Sequence, residues 1–91
     1  MTKTDFIEAI SKRTGESYAS AEGFYNAATN IITEKLEEGE KVQLTGFGSF
    51  EVGVRAARQG RNPKTGESIQ IPASRYAKFS AGKNLKEALN K

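Results

Sequence analysis

The sequence contains no cysteine, no histidine and no tryptophan. Without cysteine there are no disulfides and no thiolate nucleophile. Without histidine the commonest acid–base residue and the commonest metal ligand are gone. No nucleophile–base pair can be assembled, because a lone serine or threonine has nothing to activate it. These absences argue against an enzyme, a small-molecule substrate, and a resident metal or cofactor. The missing cysteines also fit a reducing compartment. Long apolar runs are lacking too: none approaches the ~18 residues needed to cross a bilayer. Met1-Thr2-Lys3-Thr4-Asp5 leads into an amphipathic pattern rather than a signal-peptide core. A soluble, cytoplasmic chain with no membrane partner is expected.

At 91 residues the chain is expected to form one domain with a marginal core. A chain of this size buries only a little over ~60% of the surface it exposes when unfolded. With neither disulfides nor a structural metal, so small a fold gains stability by oligomerising.

What the sequence does have is an uneven charge. The net value is +3. Residues 1–54 carry five basic side chains against nine acidic ones (−4), and residues 55–91 carry nine against two (+7). Such asymmetry marks one basic working surface and one ordinary solvated surface.

Hydrophobic spacing gives the organisation. Residues 1–40 read as a helical hairpin. Thr2 with Asp5 three residues on forms a capping box for the first helix, and Phe6, Ile7 and Ile10 recur at helical spacing. After Thr14-Gly15, Ser17 caps a second helix whose apolar positions are Ala21, Phe24, Tyr25, Ala28, Ile32 and Leu36. Gly39 stands where a left-handed helix terminator belongs. Over residues 41–80 the period changes to two. Val42 and Leu44 alternate with polar neighbours, Thr45-Gly46-Phe47-Gly48 turns, and Phe50, Val52 and Val54 alternate again. A return strand runs through Ile69 and Ile71, is interrupted by Pro72, and resumes to Phe79. Residues 81–91 close the chain with a short helix, Leu85, Ala88 and Leu89 inward and Lys83 and Lys86 outward. The expected class is α+β, with three antiparallel strands.

Residues 55–75 are the informative segment. Apart from Ile69 and Ile71 they lack large apolar residues and cannot build a core. At ~3.3 Å per residue, Arg55 to Pro63 would reach ~26 Å, enough to leave the body and follow a groove. Arg55, Arg58, Arg61, Lys64 and Arg75 supply cations along it. Ala56, Ala57 and Gly60 let the backbone lie close to another surface. Cations at this density suit phosphates, each of which releases counterions when neutralised. Asn62-Pro63-Lys64-Thr65-Gly66 is a turn by composition. Pro63 at its tip is either a turn-former or a wedge that enters between base pairs and bends the duplex. A solvated loop is the bland alternative for the whole segment. An RNA-binding β-ribbon and a dimeric scaffold whose arms hold a protein partner are the functional rivals. Scarce aromatics on the basic strands weigh against the RNA reading, since single-stranded bases are usually stacked.

Other apparent signals fail. Gly46-x-Gly48 begins a dinucleotide fingerprint, but Glu51 occupies the third glycine position and no helix follows. Gly60 to Gly66 spans five residues rather than four, with Glu67 where a phosphate loop needs lysine. Glu34, Glu37, Glu38 and Glu40 read as a solvated helix end.

Lys41-Val42-Gln43-Leu44-Thr45-Gly46-Phe47-Gly48-Ser49-Phe50 resembles the signature of the bacterial HU/IHF family of histone-like proteins. Residues 55–66 resemble the family's arm, and Ile71-Pro72-Ala73-Ser74, Phe79 and Ala81-Gly82-Lys83 fall at matching spacings. The resemblance covers the whole chain without a gap and leans to HU. It implies an intertwined homodimer: a helical base, a saddle of strands, and two β-ribbon arms that bind the minor groove of double-stranded DNA, bend it and compact it. Minor-groove wedging is a behaviour for which this family is itself a reference case, so it follows here from the resemblance. Distorted or flexible duplex would bind best, in the bacterial nucleoid or on a phage genome. The resemblance implies that Pro63 is the intercalating residue, that Arg55, Arg58, Arg61 and Lys64 contact DNA along the arm, and that Asn62 shapes its tip. It further implies that Lys3, Lys83 and Lys86 meet phosphates on the flanks, and that Phe47, Phe50 and Phe79 pack the dimer core. The sequence departs from the family at Gly53, Gln59 and Ser80, where basic residues are common. It departs also at Phe24, Tyr25 and Thr29 in the second helix and at Tyr76-Ala77-Lys78. These departures bear on flank contacts and dimer packing; the arm motif is intact.

Overall fold

Thr2 closes the first turn of helix α1 (Lys3–Thr14) from outside. Its hydroxyl accepts the Asp5 N–H at 3.2 Å, while the Asp5 carboxylate accepts the Thr2 N–H at 3.1 Å. Both bonds of the expected capping box are therefore present. Helix α2 (Tyr18–Glu37) starts the same way, with Ser17 Oγ accepting the Ser20 N–H at 3.1 Å. It stops in a Schellman motif: the Glu40 N–H donates to the Lys35 carbonyl at 2.9 Å and the Gly39 N–H to the Leu36 carbonyl at 3.0 Å. Gly39 takes φ +83°, a conformation that a side chain would penalise.

The computed structural model describes all of residues 1–91, in two compact units, 1–34 and 35–91. In the first, Phe6 and Tyr25 meet edge to face at 5.9 Å between ring centroids, and Ile7 and Ala21 are buried. Phe24 and Ala28, expected on the apolar stripe of α2, are exposed, whereas Tyr25, Ile32 and Leu36 are half-buried.

The second unit holds β1 (Val42–Leu44), β2 (Gly48–Arg55), β3 (Arg58–Arg61), β4 (Ser68–Ile71), β5 (Ser74–Ala81) and α3 (Lys83–Leu89). A three-stranded antiparallel sheet has the order β1-β2-β5, and β3 pairs with β4 in a two-stranded ribbon. These are the three expected runs, with the second divided at Ala56-Ala57 and the third at Pro72-Ala73. Arg55 faces Ser74 at the end of one ladder and Arg58 faces Ile71 at the start of the next. Three steps forward on one strand match three steps back on the other, so the register crosses the gap without slipping. Proline has no N–H to give a ladder, which accounts for an interruption at this point.

Because facing residues share a side of the sheet, the register also sorts the side chains. Gly48, Phe50, Val52 and Val54 share one face with Ala81, Phe79, Ala77 and Arg75. Phe79 organises it, with ring centroids 4.9 Å from Phe50 and 5.6 Å from Phe47. Gly48 is buried under that ring; a Cβ there would lie 2.6 Å from both the ring and the Ser80 carbonyl oxygen. Helix α3 contributes less than its pattern suggests. Leu85 is half-buried, but Ala88 and Leu89 are exposed, contrary to expectation, because nothing in the single chain covers that side of the short helix.

Candidate nucleic-acid interface

The ribbon β3–β4 has the composition that the arm needs. Its strands pair only with each other, and Arg55, Arg58, Arg61 and Lys64 are all exposed. None of the four makes an ion pair; the salt bridges in the molecule are Lys35 with Glu38 and Glu40, and Lys83 with Glu87. Four uncompensated cations from the root of the ribbon to its tip repel each other, and an array of phosphates relieves that repulsion. Gly60, opposite Ile69, keeps the ribbon thin, and Ile71 reaches over it.

At the tip, the chain reverses through residues 62–67. The Asn62 N–H donates to the Glu67 carbonyl at 2.8 Å, and the Gly66 N–H donates to the Asn62 carbonyl at 2.7 Å. The Asn62 side-chain oxygen accepts the Lys64 N–H at 2.9 Å, forming an Asx turn around Pro63. Gly66 supplies the left-handed residue, at φ +75°. The turn is thus fixed by its own backbone and by Asn62, and the Pro63 ring, needed by none of these bonds, is left exposed at the extremity.

At the root, Arg55, Ala56, Arg58, Ile71, Pro72 and Ser74 line a notch where the ladder is interrupted. The polar face of the sheet leads into it, with Ser49, Glu51, Gly53 and Arg55 opposite Ser80, Lys78, Tyr76 and Ser74. Sequence reasoning did not mark Lys78 or Tyr76 as site residues. Counting alternate positions back from Arg55 along the pairing would have placed both on this face. Lys83, at the first turn of α3, is exposed and within 3.9 Å of Glu87, and Lys86 is exposed on the same helix. In the other unit, the Lys3 ammonium lies 5.5 Å from the centre of the Tyr25 ring.

Arg75 departs from the expected arrangement. It shares the apolar face with Val54, and its Nη2 donates to the carbonyl oxygens of Leu36 at 2.8 Å and Glu37 at 3.2 Å. Those carbonyls belong to the C-terminal turn of α2, where the helix dipole favours a cation. The guanidinium grouped with the arm cations thus donates, through Nη2, to the end of a helix.

Comparison with known proteins gives one answer. The model of a family described as "Bacterial DNA-binding protein" matches residues 1–90. DNA-binding protein HU-beta of Neisseria meningitidis is 52% identical over 89 residues, covering 98% of this chain and 100% of that one. DNA-binding protein HU of Geobacillus stearothermophilus is 51% identical, covering 98% of this chain and 99% of its own. Among solved structures, an Anabaena HU–DNA cocrystal structure superimposes with a TM-score of 0.90 at 43% identity, covering 98% of this chain and 97% of that one.

Proposed function

The chain belongs to the family of bacterial DNA-binding proteins, and from that premise we propose that it is an architectural protein that grips, bends and compacts double-stranded DNA. The single observation that carries the proposal is the uncompensated, in-register basic ribbon with an exposed proline at its end. Electrostatic capture comes first, through Arg55, Arg58, Arg61 and Lys64, with Lys3, Lys83 and Lys86 as further phosphate contacts. Pro63 then enters between base pairs while Asn62 holds the turn that presents it. Arg75, bonded through Nη2 to the end of α2, acts in the fold. In the minor groove the base edges distinguish little beyond A·T from G·C, so selectivity follows deformability and the protein binds with little sequence preference. Nicked, gapped or kinked duplex binds best, having already met part of the bending cost. The bacterial nucleoid is the site of action.

The working unit is a homodimer. Ile7 and Ala21 are the only fully buried apolar side chains of the isolated chain. Phe24 is 57% exposed, Phe47 50% and Phe79 43%, in a protein without a cysteine to form a disulfide. Fully burying such a side chain is worth ~1.5–3 kcal/mol, so covering the exposed half is worth roughly half of that each, and a second copy of the chain does so. Phe47, Phe50 and Phe79 form the core of that interface, and the two arms are then presented as a pair.

A competition assay tests the choice of nucleic acid. With labelled nicked duplex DNA bound at fixed salt, unlabelled duplex DNA is expected to displace it at far lower concentration than duplex RNA of the same sequence. Equal displacement by RNA would favour an RNA-binding ribbon.

A further inference from the structure

Arg55 is the first cation of the arm, and it is not held by an acid. Its guanidinium carbon lies 4.9 Å from the centroid of the Tyr76 ring. Tyr76 is the diagonal neighbour of Arg55 on the polar face, since Tyr76 faces Gly53 and Arg55 faces Ser74. The ring reaches this place by crossing over Gly53 on the facing strand. A Cβ built on Gly53 would overlap the phenol carbons and fall 2.5 Å from the hydroxyl oxygen. Only glycine leaves room for the ring in this position. Three residues therefore form a stack on the surface that leads into the arm, with Gly53 as its floor, Tyr76 as its platform and Arg55 above the platform.

An arginine on a free stem loses rotamer entropy when it settles on a phosphate. One already resting on an aromatic face loses less, and the planar guanidinium keeps its N–H edge available while its face is occupied. Tyr76 is 38% exposed, so it lies within the polar surface and is not sealed below it. We propose that Tyr76, seated on Gly53, is a positioning residue that holds Arg55 at the root of the arm ready for a DNA phosphate. This rests on the DNA-binding reading above and adds to it a residue that acts through Arg55 rather than by its own charge.

A double-mutant cycle on the full chain, read by binding to a labelled nicked duplex, tests it. Tyr76→Leu is expected to weaken binding about two- to five-fold, the range of an exposed cation–π contact. Tyr76→Phe, which keeps the ring, is expected to bind like the parent. Gly53→Ala, which evicts the ring, is expected to reproduce the Tyr76→Leu loss. Once Arg55 is replaced by Ala, Tyr76→Leu should weaken binding no further. Losses that simply multiply in the double variant would overturn the proposal. The parent protein supplies a check that does not depend on any variant folding: Arg55 side-chain protons should be shifted upfield by the ring in its NMR spectrum, and ordinary shifts would also overturn it. Failure of the parent to bind any duplex would instead remove the DNA-binding reading, a different result.

Discussion

The Nη2 of Arg75 donates to the carbonyl oxygen of Leu36 at 2.8 Å, joining the start of β5 to the end of α2. The bond sits in a crowded acidic region, with Glu34, Glu37, Glu38 and Glu40 nearby in sequence and Lys35 already paired with Glu38 and Glu40. Four carboxylates near a helix C-terminus oppose the dipole, and a guanidinium on the same carbonyls offsets them.

Arg75→Ala should therefore lower stability by about 1 kcal/mol, combining a lost charge-assisted bond with a lost dipole partner. For a chain of this size that corresponds to roughly 4–8 °C in Tm by thermal unfolding. The salt dependence of DNA affinity should stay as in the parent. A flatter salt dependence with an unchanged Tm would return Arg75 to the DNA contacts.

Arg58 makes the contrasting case. It is exposed on the ribbon with no carboxylate partner. Arg58→Ala should leave Tm within a degree or two and reduce the slope of log affinity against log salt by roughly one unit. An unaltered slope would mean that this arginine touches no phosphate.

Pro63 separates bending from binding. Its ring takes no part in the hydrogen bonds that close the tip, so Pro63→Ala should leave the turn in place. End-to-end energy transfer on a doubly labelled duplex should report a clear loss of bending, larger than the loss of affinity. Unchanged bending would remove the wedge.

With Phe47 and Phe79 half-exposed in the single chain, folding is expected to be coupled to association. Serial dilution should lower the Tm steadily, as it must when only the associated form is stable. A midpoint independent of concentration would indicate a self-sufficient single chain.

Much of this was legible in the sequence wherever the physics is local. Thr2 with Asp5, Ser17 and Gly39 set helix ends through bonds to neighbours within a few residues, and each does so in the structure. The arm was legible because its strands lack the large apolar residues that a core requires, and Pro72 announced the break. Arg75 was not, because its partner stands 39 positions away and on the apolar face, a place where composition gives no warning of a cation. The Tyr76–Gly53 contact was hidden for a related reason. Each residue looks unremarkable alone, and only the pairing register sets one over the other. Leu89 shows the opposite failure. Its spacing promised burial, but at 77% exposure it has nothing to lie against within one chain.

Everything above depends on residues 55–75 being a cationic finger that grips bent duplex. The most direct test measures binding across a salt series to straight, nicked and bulged duplexes of one sequence. Log affinity should fall linearly and steeply with log salt for all three, and the nicked and bulged duplexes should bind more tightly than the straight one at every salt concentration. Affinity that ignores salt, or that is equal for straight and nicked DNA, would contradict it.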